Sequence, residues 1–122
     1  MSTESGMTVI TALIRPQMEG HVVSALHALS DFPGFSITEA RGQGRGRGAG
    51  GEFVTTELDL TYHRYLQLQI VCADDAAGKI CGAIEGAAWT GRKGDGVIFT
   101  AAANSFSRIR EAGRPNEGVN DD

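Results

Sequence analysis

The chain has 122 residues, of which 41% are hydrophobic and 17 are glycine, and its formal net charge is −4. This length predicts one compact domain with its own core, and the negative charge argues against general affinity for nucleic acid. No apolar run is long enough to cross a membrane, so we expect a cytoplasmic protein without membrane insertion. Cys72 and Cys81 lack a C-x-x-C spacing, which predicts free thiols that pack as small apolar side chains.

The first half of the chain predicts a strand, a helix and a second strand. Residues 7–14 are rich in β-branched side chains and end shortly before Pro16, which is typical of a strand. One helix face is predicted from apolar side chains at helical spacing: Met18, Val22, Ala25, Leu26 and Leu29. Residues 31–34 are typical of a turn, and residues 35–41 predict the second strand. Residues 42–51 are rich in glycine and arginine and lack periodicity, so they predict a loop.

The second half predicts the same succession again. A third strand is predicted from the alternating apolar residues Leu66, Leu68, Ile70 and Cys72. We expect Asp74 or Asp75 to cap a second helix. The apolar face of that helix holds Ile80, Ile84 and Ala87. After a glycine-rich loop at residues 90–96, residues 97–101 predict a fourth strand, and residues 107–110 predict a last extended piece.

This order of elements predicts an α+β fold, the ferredoxin-like βαββαβ sandwich. Two helices can cover only one face of a four-stranded sheet. Yet the first strand has apolar side chains on both faces: Ile10, Ala12 and Ile14 on one, Val9 and Leu13 on the other. The uncovered face therefore predicts a partner, most simply further copies of the chain in a closed homo-oligomer.

Two short segments carry the chemistry. Residues 90–96 (TGRKGDG) combine three glycines with two cations, and Arg108 and Arg110 follow further along the chain. In a strand, positions i and i+2 point the same way, so the two arginines would project side by side. Backbone amides in a glycine-rich turn and a pair of guanidinium groups favour a phosphate, and thus a nucleotide. Each segment alone also fits a simpler reading, an ordinary tight turn and a solvated edge strand.

These segments resemble the PII signal-transduction proteins. The resemblance extends from residue 7 to about residue 113, leaving 1–6 as a flexible start and 114–122 as a polar tail. It rests on four segments in family order: 12–16 (ALIRP), 34–45 (GFSITEARGQGR), 90–96 and 108–110 (RIR). The second segment leads into the long T-loop of the family, here about residues 44–61.

The resemblance implies a homotrimer with an adenine-nucleotide site, for ATP, ADP or AMP, in each cleft between subunits. It also implies a regulator rather than an enzyme, with no bound metal, whose T-loop docks on a membrane transporter or an enzyme. Carried over to this chain, the family's nucleotide positions fall into four sets. The adenine and ribose pocket is Leu13, Ser36, Gly42 and Val71; the T-loop base is Gly44 and Arg45; the loop is Arg92, Gly94, Asp95 and Gly96; the neighbour's phosphate contacts are Arg108 and Arg110.

Four positions depart from the family pattern. Val97 stands where the family has a phosphate-binding lysine, which makes ADP or AMP more favourable relative to ATP. Gly46 and Tyr65 stand where 2-oxoglutarate sensors have a metal-binding glutamine and a lysine, so we expect that sensing to be lost. Leu58 stands at the position of a tyrosine that some members modify, which rules out the same modification here.

Other functions of the same fold compete with this interpretation. A small acylphosphatase-like enzyme needs an arginine just after the first strand, and Arg15 lies near that place. A metal-tolerance-type trimer shares the fold but lacks the loop and the arginine pair. The three histidines are predicted to be surface residues, and Trp89 and Phe99 to pack in the core or in an interface.

Overall fold

The computed structural model describes residues 5–43 and 62–111. Within these residues lie four strands and two α-helices: β1 (Met7–Ile14), α1 (Glu19–His27), β2 (Ser36–Gly42), β3 (His63–Ala73), α2 (Ala77–Ala88) and β4 (Gly96–Ala103). A single turn of 3₁₀ helix precedes each α-helix, at Pro16–Met18 and at Asp74–Ala76. Pro16 ends β1 as predicted, since proline has no amide for a ladder but suits the first turn of a helix.

The four strands form one antiparallel sheet in the order β2-β3-β1-β4. Strands β3 and β1 are central, and Ile10 lies opposite Ile70. The sequence of β1 alternates between two apolar sets, and one of them, Ile10, Ala12 and Ile14, is buried. The predicted α+β fold with the ferredoxin-like order of elements is therefore confirmed.

The core lies between this sheet face and the two helices. Its buried members are Ile10, Ala12, Ile14, Val22, Leu26, Leu66, Leu68, Ile70, Cys72, Ile80, Ile84 and Ala88. The predicted strand alternation and helix faces account for most of this set. In α2, Ala88 is buried with Ile80 and Ile84, because steps of four residues keep the same face, and the predicted Ala87 packs against this core half-buried.

Two details of the helices differ from the prediction. Helix α1 ends at His27, so Leu29 lies beyond it, and the Leu29 amide donates to the Leu26 carbonyl at 3.1 Å in a tightened last turn. Asp74 does not cap α2, whose N-cap is Ala76 without a side-chain bond. The Asp74 carboxylate instead accepts a hydrogen bond of 2.6 Å from the Thr8 hydroxyl across the sheet end.

The segment after β4 is not a strand. β4 ends at Ala103, opposite Met7, the first residue of β1. No ladder partner in β1 lies beyond that pair, so the chain leaves the sheet. The Glu111 amide donates to the Arg108 carbonyl at 3.0 Å in a turn. The prediction of an extended piece at residues 107–110 is wrong, and with it the argument that strand geometry aligns Arg108 and Arg110.

Neither α-helix covers the other face of the sheet, because their buried side chains belong to the core on the first face. Val9 and Leu13 of β1 lie on it, and β4 adds Val97 and Phe99, whose side chains are 57% and 54% exposed. The register places these residues together, because directly opposed residues such as Leu13 and Val97 share a face. The open apolar face anticipated from the pattern of β1 is thus present.

Candidate functional site

The glycine-rich loop at residues 90–96 joins α2 to β4 at the end of the sheet where β1 finishes. All three of its glycines have positive φ angles: 83° at Gly91, 90° at Gly94 and 114° at Gly96. Residues with a Cβ rarely adopt positive φ angles, whereas glycine adopts them readily because it has none. At Gly96 a Cβ would also stand 1.8 Å from the Leu13 carbonyl oxygen. The backbone of the loop therefore depends on glycine, most of all at its junction with β4.

Asp95 organises this loop from within. One carboxylate oxygen, Oδ2, accepts the amides of Thr90 at 2.7 Å and Gly91 at 3.0 Å. The other, Oδ1, accepts the Thr90 hydroxyl. The hydrogen bonds from the Thr90 hydroxyl and amide, followed by those from Gly91 and Arg15, lower the pKa of Asp95 to about 2. Asp95 is thus ionised over the whole physiological range and is engaged by its own loop.

Arg15 fastens the loop to the end of β1. Its Nε donates to Asp95 Oδ1 at 3.2 Å, and its Nη2 donates to the Lys93 carbonyl. Gly94 lies so close that a Cβ there would be 3.1 Å from Nη2. Sequence reasoning assigned no part in the nucleotide site to Arg15. Its partner lies 80 residues away, and only the antiparallel register of β1 and β4 brings position 15 opposite position 95.

These bonds decide which amides of the loop can face a ligand. The amides of Thr90 and Gly91 are taken by Asp95, and the amide of Arg92 donates to the Thr90 hydroxyl at 3.2 Å. Within the part of the chain that the structure describes, no protein acceptor takes the amides of Lys93 and Gly94. Two successive amides at a glycine bend, next to the exposed side chains of Arg92 and Lys93, form an arrangement suited to an anion.

A cavity of about 300 Å³ lies beside the loop, between the last turn of α2 and the start of β4. Ile84, Ala88 and Ile98 line it, with Trp89 and Glu85 at α2. Trp89 is 71% exposed, so a core role for it is wrong. The residue follows α2 in an extended conformation, which turns its ring off the core face. That ring lies against Gly91, where a Cβ would be 3.1 Å from it.

The predicted nucleotide residues fall into two groups along the sheet: the first lies where β1 finishes, and the second is level with the middle of β1 or follows β4 in the chain. The first is Leu13, Gly42, Arg92, Gly94, Asp95 and Gly96, which we call the loop group; the second is Ser36, Val71, Arg108 and Arg110, which we call the arginine group. Ser36 and Gly42 sit six residues apart on β2, or about 20 Å at the usual rise of a strand.

Strand β4 separates the groups in the same way. Gly96 starts the strand opposite Ile14, and Ala103 ends it opposite Met7, after which the chain continues to Arg108 and Arg110. The register of β4 therefore does not itself place Arg108 and Arg110 beside the loop group. Leu13, Ser36, Gly42 and Val71 do share the uncovered face, because their register partners all belong to it. Gly44 and Arg45 lie outside the described residues, as do Gly46 and Leu58.

The residues that replace family cations also lie on this uncovered face. Val97 is opposite Leu13, and Tyr65 is opposite Ala40. Arg64, next to Tyr65, points to the other face and forms an exposed ion pair with Glu39 at 3.9 Å. It therefore cannot replace a lysine at position 65, as the alternation of side chains in the strand predicts.

The described residues contain neither a cluster that could hold a metal ion nor a helix that could span a membrane. Among residues 5–43 and 62–111, no three histidine, cysteine or carboxylate side chains come close enough to hold one metal ion. No helix of this part of the chain has the length and apolar character needed to span a membrane. His21, His27 and His63 are exposed, as predicted.

The fold and the loop define the class of protein: an α+β domain with a half-covered antiparallel sheet and a glycine-rich, cation-bearing loop at one sheet end. Residues 7–113 match the family model described as Nitrogen regulatory protein P-II. The chain is 33% identical over 113 residues to the Nitrogen regulatory protein P-II of Rhodospirillum rubrum, covering 93% of this chain and 100% of that protein.

A second relative and a solved structure agree. Nitrogen regulatory protein GlnK of Escherichia coli K12 is 30% identical over 104 residues, covering 85% of this chain and 92% of that protein. The crystal structure of Arabidopsis thaliana PII bound to citrate has the same fold, with a TM-score of 0.69 at 22% identity, and the match covers 88% of this chain and 86% of that one. The chain belongs to the P-II family of nitrogen regulatory proteins.

Proposed function

We propose that the chain is a cytoplasmic regulator rather than an enzyme, and that it binds ADP, ATP or AMP in the clefts of a homotrimer. Through the T-loop, residues 44–61, it acts on a membrane transporter or an enzyme according to the bound nucleotide. The observation that carries the proposal is the glycine-rich, cation-bearing loop beside the uncovered apolar sheet face, in a chain of the P-II family.

In this proposal the loop group and the arginine group serve one ligand from two copies that meet head to tail. Such a heterologous contact presents the loop group of one copy to the arginine group of the next, and it closes a ring when the rotation allows. The uncovered face supplies apolar surface for this contact, since Val97 and Phe99 stand more than half exposed on it. The family resemblance sets the number of copies at three, which gives three equivalent clefts.

The phosphate part of the cleft has a defined set of donors. The amides of Lys93 and Gly94 and the side chains of Arg92 and Lys93 come from one copy, and Arg108 and Arg110 come from the next. Val97 brings no cation to this cleft, so ADP and AMP gain relative to ATP. Tyr65 offers no ion pair to a keto acid, so 2-oxoglutarate is not a co-effector by the usual route.

The hydrogen bonds of Arg15 argue against the acylphosphatase-like alternative. An enzyme of that kind needs the guanidinium to face a substrate phosphate. Here Arg15 is committed to Asp95 and to the Lys93 carbonyl. A binding experiment distinguishes the metal-tolerance-type trimer from the regulator, because such a trimer would bind a metal ion and not a nucleotide.

Titration calorimetry of ATP, ADP and AMP, each with and without 2-oxoglutarate and magnesium, tests the proposal directly. We expect micromolar binding of at least one nucleotide without turnover, and no gain in affinity from 2-oxoglutarate. The double substitution Arg108→Ala, Arg110→Ala should weaken binding strongly, because a hydrogen bond to a charged group contributes about 1.5–3 kcal/mol. Arg64→Ala is the matched control, since that arginine forms only an exposed pair. Equal affinity in the double variant and the control would reject the arginine group.

A mixing experiment tests whether each cleft draws on two copies. The variant Arg92→Ala, Lys93→Ala has a damaged loop group, and the variant Arg108→Ala, Arg110→Ala has a damaged arginine group. After the two are unfolded and refolded together, about a quarter of the clefts should combine two intact groups, since a heterologous ring joins different halves of neighbouring copies. We expect wild-type affinity at that fraction of sites. If mixing restores no binding, the two groups act within one chain and the proposed assembly is wrong.

A further inference from the structure

The carboxylate of Asp95 and the guanidinium of Arg15 form a latch at the base of the loop. We propose that these two residues position the loop for a nucleotide phosphate and that neither contacts the phosphate itself. The inference rests on the proposed function, because it concerns the same cleft. It changes the role expected for Asp95 from a ligand contact to a positioning residue, and it adds Arg15, which had no role in the nucleotide site.

Asp95 has no acceptor capacity left for a ligand donor. Its Oδ2 accepts the amides of Thr90 and Gly91, and its Oδ1 accepts the Thr90 hydroxyl and Arg15 Nε. An ionised carboxylate offers about four lone-pair sites, so four donors saturate it. Its charge is thus directed at the first half of the loop, away from the amides of Lys93 and Gly94.

Arg15 completes the latch by holding the loop at two points. Its Nε bonds to the Asp95 side chain and its Nη2 to the Lys93 carbonyl, so one planar group spans two loop residues. Fixing the Lys93 carbonyl also fixes the following peptide, which carries the Gly94 amide. A lysine in place of Arg15 has a single point of attachment and cannot reproduce this fork.

The latch and simple electrostatics predict opposite results for Asp95→Asn. Removing a negative charge beside an anion site should tighten ADP binding if Asp95 acts only through its charge. Positioning predicts weaker binding, because the asparagine side chain has only one acceptor oxygen and turns an NH₂ donor towards other donors. The amides of Thr90 and Gly91 and the Arg15 fork cannot all remain bonded to it.

The experiment measures ADP affinity by calorimetry for the wild type, Asp95→Asn and Arg15→Lys. We expect each variant to bind ADP at least about tenfold more weakly. The matched controls Asp75→Asn and Arg64→Lys change the same groups on exposed residues outside the loop and should keep wild-type affinity. Equal or tighter ADP binding by Asp95→Asn overturns the proposal. A wild type that binds no nucleotide overturns the proposed function, and this inference with it.

Amide hydrogen exchange without nucleotide separates a loosened loop from a misfolded protein. In Asp95→Asn and Arg15→Lys, the amides of Thr90 and Gly91 should exchange faster than in the wild type. The amides of β1 and β3 should keep their protection, and the melting temperature should stay close to the wild-type value. Unchanged exchange at Thr90 and Gly91 overturns the proposal even if the affinity falls.

Discussion

At the scale of single residues, the glycines of this chain differ sharply in what they must do. Gly96 combines a φ of 114° with a Cβ position 1.8 Å from the Leu13 carbonyl oxygen, so no side chain fits without moving the backbone of β1. Gly86 lies on the exposed side of α2, and a Cβ there would meet nothing within 4 Å. Sequence alone treats both simply as glycine, and only the first is required by its surroundings.

This difference gives a paired prediction for substitution by alanine. Gly96→Ala should destabilise the fold by several kcal/mol, about as much as the more severe single substitutions known, because the clash is with backbone. Gly86→Ala should stabilise it by about 0.5–1 kcal/mol, since alanine costs less chain entropy in a helix. Urea unfolding followed by circular dichroism measures both. Equal stability of Gly96→Ala and the wild type would contradict the geometry described for the loop.

At this scale, features that are local in the sequence can be predicted from it, and contacts between distant residues cannot. The loop glycines and cations were found because they are adjacent in the chain. The bond between Arg15 and Asp95 was not found, because the two residues are 80 positions apart and neither has a local signature of its partner. Asp74 was expected to cap a helix on local grounds, but a partner in β1, Thr8, takes its carboxylate instead.

At the scale of elements, the packing of the helices on the sheet determines the surroundings of both thiols. Cys72 is buried on the core face of β3, and Cys81 is half-buried on α2. Burial, and then the proximity of Cys81, raises the pKa of the Cys72 thiol. Burial, and then Glu85, raises the pKa of the Cys81 thiol. A higher pKa lowers the thiolate fraction at neutral pH, and the thiolate is the reactive form.

We therefore expect both thiols of the native protein to react slowly with a disulfide reagent at neutral pH. Cys81 should react first, because it is the more accessible of the two, and Cys72 should react only as the protein opens. Raising the pH should speed the reaction of Cys81, since ionisation of the thiol is the limiting factor. Absorbance of the released thiolate measures this, with guanidinium-unfolded protein as the reference for full reactivity. Rapid native reaction of Cys72 would contradict its place in the core.

The elements were predicted well where a period of two or 3.6 residues runs unbroken, and less well at their ends. All four strands and both helices appear in order, because buried faces impose those periods on the sequence. The end of α1 and the piece at residues 107–110 were missed. Leu29 fits the helical spacing but lies past the last turn, and Arg108 lies beyond the last available partner in β1. Periodicity records the burial of side chains and not where backbone pairing stops.

At the scale of the whole molecule, the uncovered sheet face leaves large apolar side chains exposed to solvent. Val9, Leu13, Val97 and Phe99 lie on it, and Phe99 alone is 54% exposed. Apolar surface of this kind is stabilised by contact with another copy. The proposed contact between the loop group of one copy and the arginine group of the next would cover the same face.

Phe99→Asp should break this assembly, because a carboxylate buried without a partner in an interface costs several kcal/mol, of order 2–7 even for neutral polar groups. We expect the wild type to elute as a trimer and the variant as a monomer with native circular dichroism, as measured by light scattering after gel filtration. Ser24→Asp, which adds the same charge to the exposed side of α1, is the control and should remain trimeric. A monomeric wild type would remove the basis of the two-copy cleft.

The position of Trp89 makes the intrinsic fluorescence of the protein sensitive to the glycine-rich loop. It is the only tryptophan of the chain, and its ring rests against Gly91 in the loop while most of its surface meets solvent. Ultraviolet emission excited at long wavelength therefore arises from a single indole beside the glycine-rich loop. We expect that emission to report the binding and release of the proposed nucleotide without an attached dye.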